Sequence, residues 1–297
     1  MYCGLLTINS PVFELMLDTS SAEDQETYEG YPLVHLEDSS EDIGALLKAL
    51  YRRRFFVKGT CTPFDRLTSL ARLSSKYNIK HLMEDVAAHL SLIYPSSLED
   101  YWKRDKSLFA DFRPHAVEAL DMSHDLPALL PIAPVAFYDC CELTAAEIVD
   151  GVTHAGEEYG ISSDRDVKTC LVGRDALIKA KHARVDNFLM SLSPAQPCRT
   201  TDRCCRALAL YLRDHRDRGL LDKCDIFSRQ PLWAYYSAHT TRLCAVCHAQ
   251  FRDSENNALD AVWKELPTFF DLESWEKLQE RQKTALECRN EDEDEAN

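Results

Sequence analysis

Glycine is scarce in this sequence, at 9 of 297 residues. That is about half of the usual share of roughly 7%. The phosphate-binding loops and tight turns of nucleotide-binding α/β enzymes depend on glycine. Neither GxGxxG nor GxxxxGK[ST] occurs in the chain, so we do not expect an enzyme of that class.

A long hydrophobic run and a secretory leader are also lacking. No apolar stretch reaches the length of about 18 residues that a membrane helix needs, so no membrane partner is expected. The first residues, MYCGLLTINSPVF, have no positively charged start and no cleavage motif. We therefore expect a cytoplasmic or nuclear protein whose 12 cysteines are reduced.

An excess of positive charge is the third absence. Lys and Arg number 34 against 49 Asp and Glu, which gives a net charge of −15. Nucleic-acid binders carry a basic surface because neutralising phosphates supplies most of their affinity, so no nucleic-acid partner is expected. The cluster Arg52 to Arg54 follows a predicted helix, and cations are favoured at that end of a helix.

What the chain does contain is helical periodicity. In DSSEDIGALLKALY the apolar residues recur at i, i+3, i+4, i+7 and i+8, which predicts one buried helix face that includes Leu47. Ser39 or Ser40 is the predicted N-cap of this helix. For the next helix, Thr62 is the predicted cap and Pro63 the first helical residue.

Two more helices and one strand complete this part of the pattern. Leu70 and Leu82 are predicted to be buried in helices that follow the first one, and YPLVHL, residues 31–36, predicts a short strand. From Ser96 onward the pattern is mostly helical, with a break at HDLP. The predicted fold class is mainly α with a small β component.

The order of these motifs resembles that of the BTB/POZ domain, and more narrowly the BTB proteins of mushroom-forming fungi. The matching stretches are LLTINSPVFELML, YPLVHLEDSSEDIGALLKALYRRRF, FDRLTSLARLSSKYNIKHLMEDVAAHL, AFYDCC, CLVGRDAL, RLCAVC and VWKELPTFFDL. The resemblance implies an incomplete BTB/POZ α+β domain at 1–95, a helical extension at 96–152, a helical C-terminal region at 153–285 and an acidic tail at 286–297. The family begins with two strands before its LL…SPVF helix, and these are expected to be missing here because Met1 stands almost on that helix.

The same resemblance implies a non-catalytic protein–protein interaction module. Its partners would be proteins, through self-association or an adaptor role, and one alternative is an adaptor of a cullin-type ubiquitin ligase. A second alternative is an enzyme whose site the sequence does not reveal. No catalytic residue and no small-molecule substrate is predicted.

The stretch TRLCAVCHAQ carries Cys244 and Cys247, with His248 directly after them. A CxxCH haem attachment site belongs to exported or organellar proteins, and the targeting segment that would accompany it is not predicted. A redox dithiol needs a βαβ context, which the surrounding pattern does not show. A structural zinc site is the remaining chemical interpretation, because such sites include close pairs of cysteines.

Zinc needs two further ligands, and Cys198 and Cys204 are the predicted second pair. Cys205 is the alternative fourth ligand, and His248 or His239 is a less favoured substitute. The resemblance adds support, since the fungal relatives carry a C-x5-C motif followed by LCxxC. The competing interpretation is that these thiols are small buried hydrophobes, as is expected of Cys140 and Cys141. If zinc is bound, the four sulfurs should lie within about 4.5 Å of one another.

Overall fold

The computed structural model of the protein describes residues 3–18, 26–28, 31–108, 112–154, 156–190, 196–217, 224–227 and 243–287. Secondary structure in these residues is mainly helical, with two short β-hairpins, which confirms the predicted fold class at that level. None of the helices described is long and apolar enough to cross a membrane.

The elements follow one another as α1 (Cys3–Asn9), α2 (Pro11–Asp18), β1 (Thr27–Tyr28), β2 (Tyr31–Pro32), α3 (Ser40–Tyr51), α4 (Phe64–Lys76), α5 (Lys80–Leu90), α6 (Leu98–Lys103), α7 (Phe112–Asp125), α8 (Ala133–Cys141), α9 (Ala145–Asp150), β3 (Val152–His154), β4 (Glu157–Tyr159), α10 (Asp164–Met190), α11 (Thr201–Asp217), α12 (Ala245–Glu265) and α13 (Trp275–Glu287). The chain divides into two compact units. The first comprises residues 1–96, 103–133 and 276–297, and the second comprises 97–102 and 134–275.

Helix α3 begins where its local chemistry predicts. The hydroxyl of Ser39 accepts a hydrogen bond of 3.1 Å from the backbone N–H of Asp42, so Ser39 is the N-cap. Glu41 and Asp42 lie in the first turn, where negative charge is favoured. Between the two alternatives predicted for the cap, the structure therefore selects Ser39.

The predicted start of α4 was wrong by one residue. Pro63 is still extended, with φ −54° and ψ 137°, and the helix begins at Phe64. The hydroxyl of Thr62 donates to the carbonyl of Thr60 at 3.0 Å and does not cap the helix. Thr62 therefore stabilises the loop before the helix.

The core of the first unit lies between α3, α4 and α5. Leu70 is fully buried and Leu82 is 4% exposed, as predicted. The prediction for Leu47 was wrong, because Leu46 takes the fully buried position and Leu47 lies at the edge of the core, partly exposed. Neighbouring residues on a helix point about 100° apart, so only one of the two leucines can face the centre.

The predicted strand at 31–36 is shorter in the structure. Only Tyr31–Pro32 pairs with Thr27–Tyr28, and residues 33–39 have no regular secondary structure. A strand extends only as far as its partner, and the described partner has two residues. The Asp38 carboxylate accepts hydrogen bonds from Arg72 and Lys76 of α4 at 3.1 and 2.8 Å, which holds this segment against the helix.

The core of the second unit is aromatic. The rings of Trp263 and Trp275 are stacked with centroids 5.7 Å apart, and the indole N–H of Trp275 donates to the carbonyl of Trp263 at 2.9 Å. Phe137 stacks on Phe270 at 5.0 Å. Because Trp263 is buried near the end of α12, this core anchors the helix whose other end begins at Cys244.

Candidate metal centre

Two pairs of cysteines that are distant from each other in sequence come together in the second unit. The sulfurs of Cys198, Cys204, Cys244 and Cys247 all lie within 4.8 Å of one another. Cys198 Sγ is 3.8 Å from Cys204 Sγ and 3.7 Å from Cys244 Sγ. A tetrahedron with Zn–S bonds of about 2.3 Å has edges of about 3.8 Å. Both separations match that edge, although the outer limit is slightly wider than the expected value of about 4.5 Å.

The first pair of cysteines is positioned by the start of α11. The backbone N–H of Cys204 donates to the carbonyl of Thr200 at 3.0 Å, which places Cys204 in the first turn of the helix. Thr200 also brings its hydroxyl to 3.4 Å from Cys204 Sγ. Cys198 lies in the turn that leads into the helix. The five intervening residues therefore connect the two cysteines over a short distance, so that both sulfurs face the centre of the cluster.

The second pair is positioned by the start of α12. Cys244 is the N-cap residue, and its sulfur accepts a hydrogen bond of 3.5 Å from the backbone N–H of Cys247. The backbone N–H of Cys244 donates to the sulfur of Cys204 at 3.4 Å, which links the two pairs directly. Because two residues separate Cys244 from Cys247, one cysteine is the cap and the other lies in the first turn. Both sulfurs therefore face the centre of the cluster.

The surroundings of the cluster favour thiolates, the form of cysteine that binds metal. The backbone N–H of Cys247 is the largest of the effects that lower the pKa of Cys244 to about 6. A hydrogen bond from the backbone of Thr200 is the main cause that lowers the pKa of Cys198. Two helix N-termini meet at the cluster, and each carries a partial positive charge that stabilises anionic sulfur.

A small apolar cluster packs against one side of the four-cysteine cluster. Cys204 and Cys247 are buried and pack with Leu208, Leu243 and Phe251, while Cys198 and Cys244 are partly exposed. Burial of two sulfurs excludes water from one side of the site. The exposure of the other two leaves a route by which an ion can enter.

Of the alternative ligands, Cys205 and His248 are described, and neither belongs to the cluster. Cys205 is exposed, because it follows Cys204 on α11 and points about 100° away around the helix. His248 follows Cys247 in α12 in the same way and is only partly buried. His239 lies outside the described residues. Within the described ranges, the four cysteines form the one group of His, Cys, Asp or Glu side chains with the geometry to hold a metal ion.

A second set of thiols in this unit has a different environment. Cys140, Cys141 and Cys170 are fully buried, and Cys224 is 5% exposed. The thiol of Cys141 donates to the carbonyl of Cys170 at 3.3 Å, and that of Cys224 donates to the carbonyl of Cys141 at 2.8 Å. Burial raises the pKa of Cys141 and of Cys224. The expected burial of Cys140 and Cys141 is therefore confirmed.

Cys170 differs from the other buried thiols. Hydrogen bonds from Cys140 and Cys141 lower its pKa to about 5, against the opposing effect of burial. The sulfur remains inaccessible to solvent at 0% exposure. Within the described residues, neither these four cysteines nor the four of the candidate metal centre form a disulfide.

Comparison of the chain with protein-family models, with curated proteins and with solved structures found no match. The candidate metal centre is therefore supported by the geometry and chemistry of its own residues.

Proposed function

We propose that the protein is a non-catalytic, BTB-like protein–protein interaction module, and that one structural zinc ion stabilises its C-terminal region. The ligands of this ion are Cys198, Cys204, Cys244 and Cys247. The observation that carries the proposal is the convergence of these four sulfurs within 4.8 Å.

Zinc fits this donor set better than magnesium or calcium does. Four thiolates in a tetrahedral arrangement are the ligands of closed structural zinc sites, whereas magnesium and calcium prefer oxygen ligands. A catalytic zinc keeps one coordination position open for water or substrate. Here the chain itself supplies all four donors, which supports a structural role.

The proposed ion would bind cysteines at the starts of two helices that are distant in sequence. Cys204 and Cys244 are 40 positions apart, and each lies at the start of its own helix. Among the described residues, the apolar cluster beside the sulfurs contains Leu208, Leu243 and Phe251, with Ala207 packed against it. On this proposal, metal binding adds to the stabilisation that these apolar contacts give.

The interaction part of the proposal comes from the resemblance, which rests on the sequence motifs of the first unit. The sequence predicts a helix, a strand and three helices there, and the structure has two short helices, a hairpin and the helices α3 to α5. Ile8 of α1 and Leu15 of α2 are 82% and 66% exposed. On this proposal, these two side chains contribute to the surface that binds another protein.

Metal analysis of the purified full-length protein tests the zinc ion. We expect about one zinc per chain in the wild type and a large loss of zinc in Cys204→Ser, because its thiolate is a ligand. Cys205→Ser is the matched control, since it removes the neighbouring exposed thiol, and it should keep its zinc. Equal zinc contents in the two variants would contradict the proposed ligand set.

Light scattering and affinity capture test the interaction. We expect either a dimer or a defined bound protein, and either should be weakened by Ile8→Asp combined with Leu15→Asp. Leu92→Asp, at another exposed leucine of the same unit, is the control and should have little effect. Reproducible capture of a cullin subunit would select the ubiquitin-ligase alternative. A monomer that captures nothing would refute the interaction part of the proposal.

A further inference from the structure

An open groove lies at the start of α11, on the residues between and beyond the first pair of cysteines. It has a volume of about 770 Å³. Three arginines line it, Arg199, Arg203 and Arg206, together with Asp202 and, at its apolar end, Leu210. We call it the arginine groove.

The charge of the arginine groove is opposite to that of the chain. The described residues that line it carry three positive charges and one negative charge, or +2, while the whole chain carries −15. Within the described part of the molecule, none of the three guanidinium groups is engaged in an ion pair. These cations are therefore available to an anionic group from outside.

The spacing of the lining residues explains how the arginine groove forms. Arg203, Arg206 and Leu210 are three and four positions apart, so they share one face of α11. Cys204 and Leu208 point to the other side, into the apolar cluster under the sulfurs. The helix thus has a buried face that carries a metal ligand and an exposed face that carries the arginines.

We propose that the arginine groove binds an acidic peptide segment of a partner protein, and that the zinc ion holds the groove in its binding shape. The second part rests on the proposed function. A guanidinium group forms paired hydrogen bonds with a carboxylate, and three of them define a path along one face of a helix. Leu210, 39% exposed, offers contact to one apolar side chain of the peptide.

The coupling to zinc follows from the positions of the ligands. Arg199 and Arg203 lie inside the segment that begins at Cys198 and ends at Cys204. Binding of both sulfurs to one ion fixes this segment, and with it the direction of two of the three arginines. Loss of the ion should release the turn and disperse the positive charges.

Fluorescence anisotropy on the full-length, zinc-loaded protein provides the test. The probe is a labelled peptide of sequence EEDLEEDL, and QQNLQQNL is its uncharged counterpart. We expect the acidic peptide to bind, the uncharged one not to bind, and added salt to weaken the complex because exposed charges are screened. Changing Arg203→Gln and Arg206→Gln together should weaken binding by about tenfold or more.

A matched variant controls for the general loss of positive charge. Arg52→Gln with Arg53→Gln removes two exposed arginines of the other basic cluster, and it should change the affinity by less than about twofold. Both double variants should keep their zinc. Equal binding of the acidic peptide by the two variants would overturn the arginine groove as its site.

Further outcomes separate the parts of the proposal. Stronger binding of a phosphopeptide or of single-stranded DNA than of EEDLEEDL would overturn the choice of an acidic peptide as occupant. Cys204→Ser should lose both zinc and peptide binding, and retained binding without zinc would overturn the coupling alone. Arginine-dependent binding by a wild-type protein that contains no zinc would refute the zinc site while supporting the groove.

Discussion

The helices α3 to α5 and the four-cysteine cluster are stabilised in different ways. Between α3, α4 and α5 the interior is filled by large apolar side chains, and Leu46, Leu67 and Leu70 are fully buried. Beside the sulfurs, by contrast, the described apolar residues are Leu208, Leu243 and Phe251, with Ala207 packed against them. On our proposal, a zinc ion adds to the apolar contacts of this second region, whereas the first relies on its leucine-rich interior.

Cysteines also occur in two different environments within the second unit. In the aromatic second unit, Cys140 and Cys141 are fully buried and serve as small packing residues. At the starts of α11 and α12, backbone N–H groups point at sulfur, as from Cys247 to Cys244 and from Cys244 to Cys204. Burial raises the pKa of Cys141, whereas the backbone N–H of Cys247 lowers that of the partly exposed Cys244.

Removal of the metal should have the largest effect and should separate the two regions. Structural zinc binding contributes on the order of 10 kcal/mol in small zinc domains, so a chelator should strongly destabilise the cysteine region. By hydrogen exchange, we expect amides of 200–210 and 243–251 to lose protection, and those of 64–90 to keep it. Equal loss in both regions would mean that they do not differ in their dependence on metal.

A core substitution between α3, α4 and α5 should destabilise that region and leave the metal centre intact. Its effect on stability should be smaller than that of removing the metal. Leu70→Ala should lower the free energy of unfolding by about 2–5 kcal/mol, because it leaves a cavity at a fully buried position. Leu47→Ala is the matched control, and its partly exposed side chain should make the loss smaller. Denaturant unfolding measures both values, and zinc content should stay at the wild-type level in each. A larger loss for Leu47→Ala would show that the core is assigned to the wrong face of α3.

The reactivity of the thiols gives the smallest and most local effect. In metal-free protein, Cys244 should be alkylated readily at pH 7, because its pKa is lowered from 9.0 to about 6 and it is partly exposed. Its rate should fall as the pH drops through 6. Cys140 and Cys141 should react slowly, because they are buried.

The lowered pKa of Cys244 also makes the stability of the metal-free protein depend on pH. A lowered pKa in the folded state stabilises the metal-free fold fully at pH values above about 9, and this contribution is lost as the pH falls through about 6. Peptide mapping by mass spectrometry measures the alkylation of each cysteine. Protection of Cys244 by added zinc is the expected control, and equal rates for Cys244 and Cys140 would remove the distinction between the two environments.

Local chemistry made part of this structure predictable from sequence. A cap at Ser39 or Ser40 was predictable because capping depends on neighbouring residues, and the cysteine pairs were recognisable from their short spacings. The choice between Leu46 and Leu47 was not, since it depends on how α3 is rotated against its neighbours. The hairpin of β3 and β4 was missed because strands of three residues show too little alternation. The arginine groove was missed because its three arginines come together only on the folded turn and helix.

X-ray absorption at the zinc edge of the purified protein tests the central claim most directly. We predict one zinc per chain with four sulfur neighbours at about 2.3 Å. Cys205→Ser should give the same spectrum, and the zinc-free Cys204→Ser should give none. Zinc surrounded by nitrogen or oxygen, or wild-type protein without zinc, would contradict the assignment of the ion to Cys198, Cys204, Cys244 and Cys247.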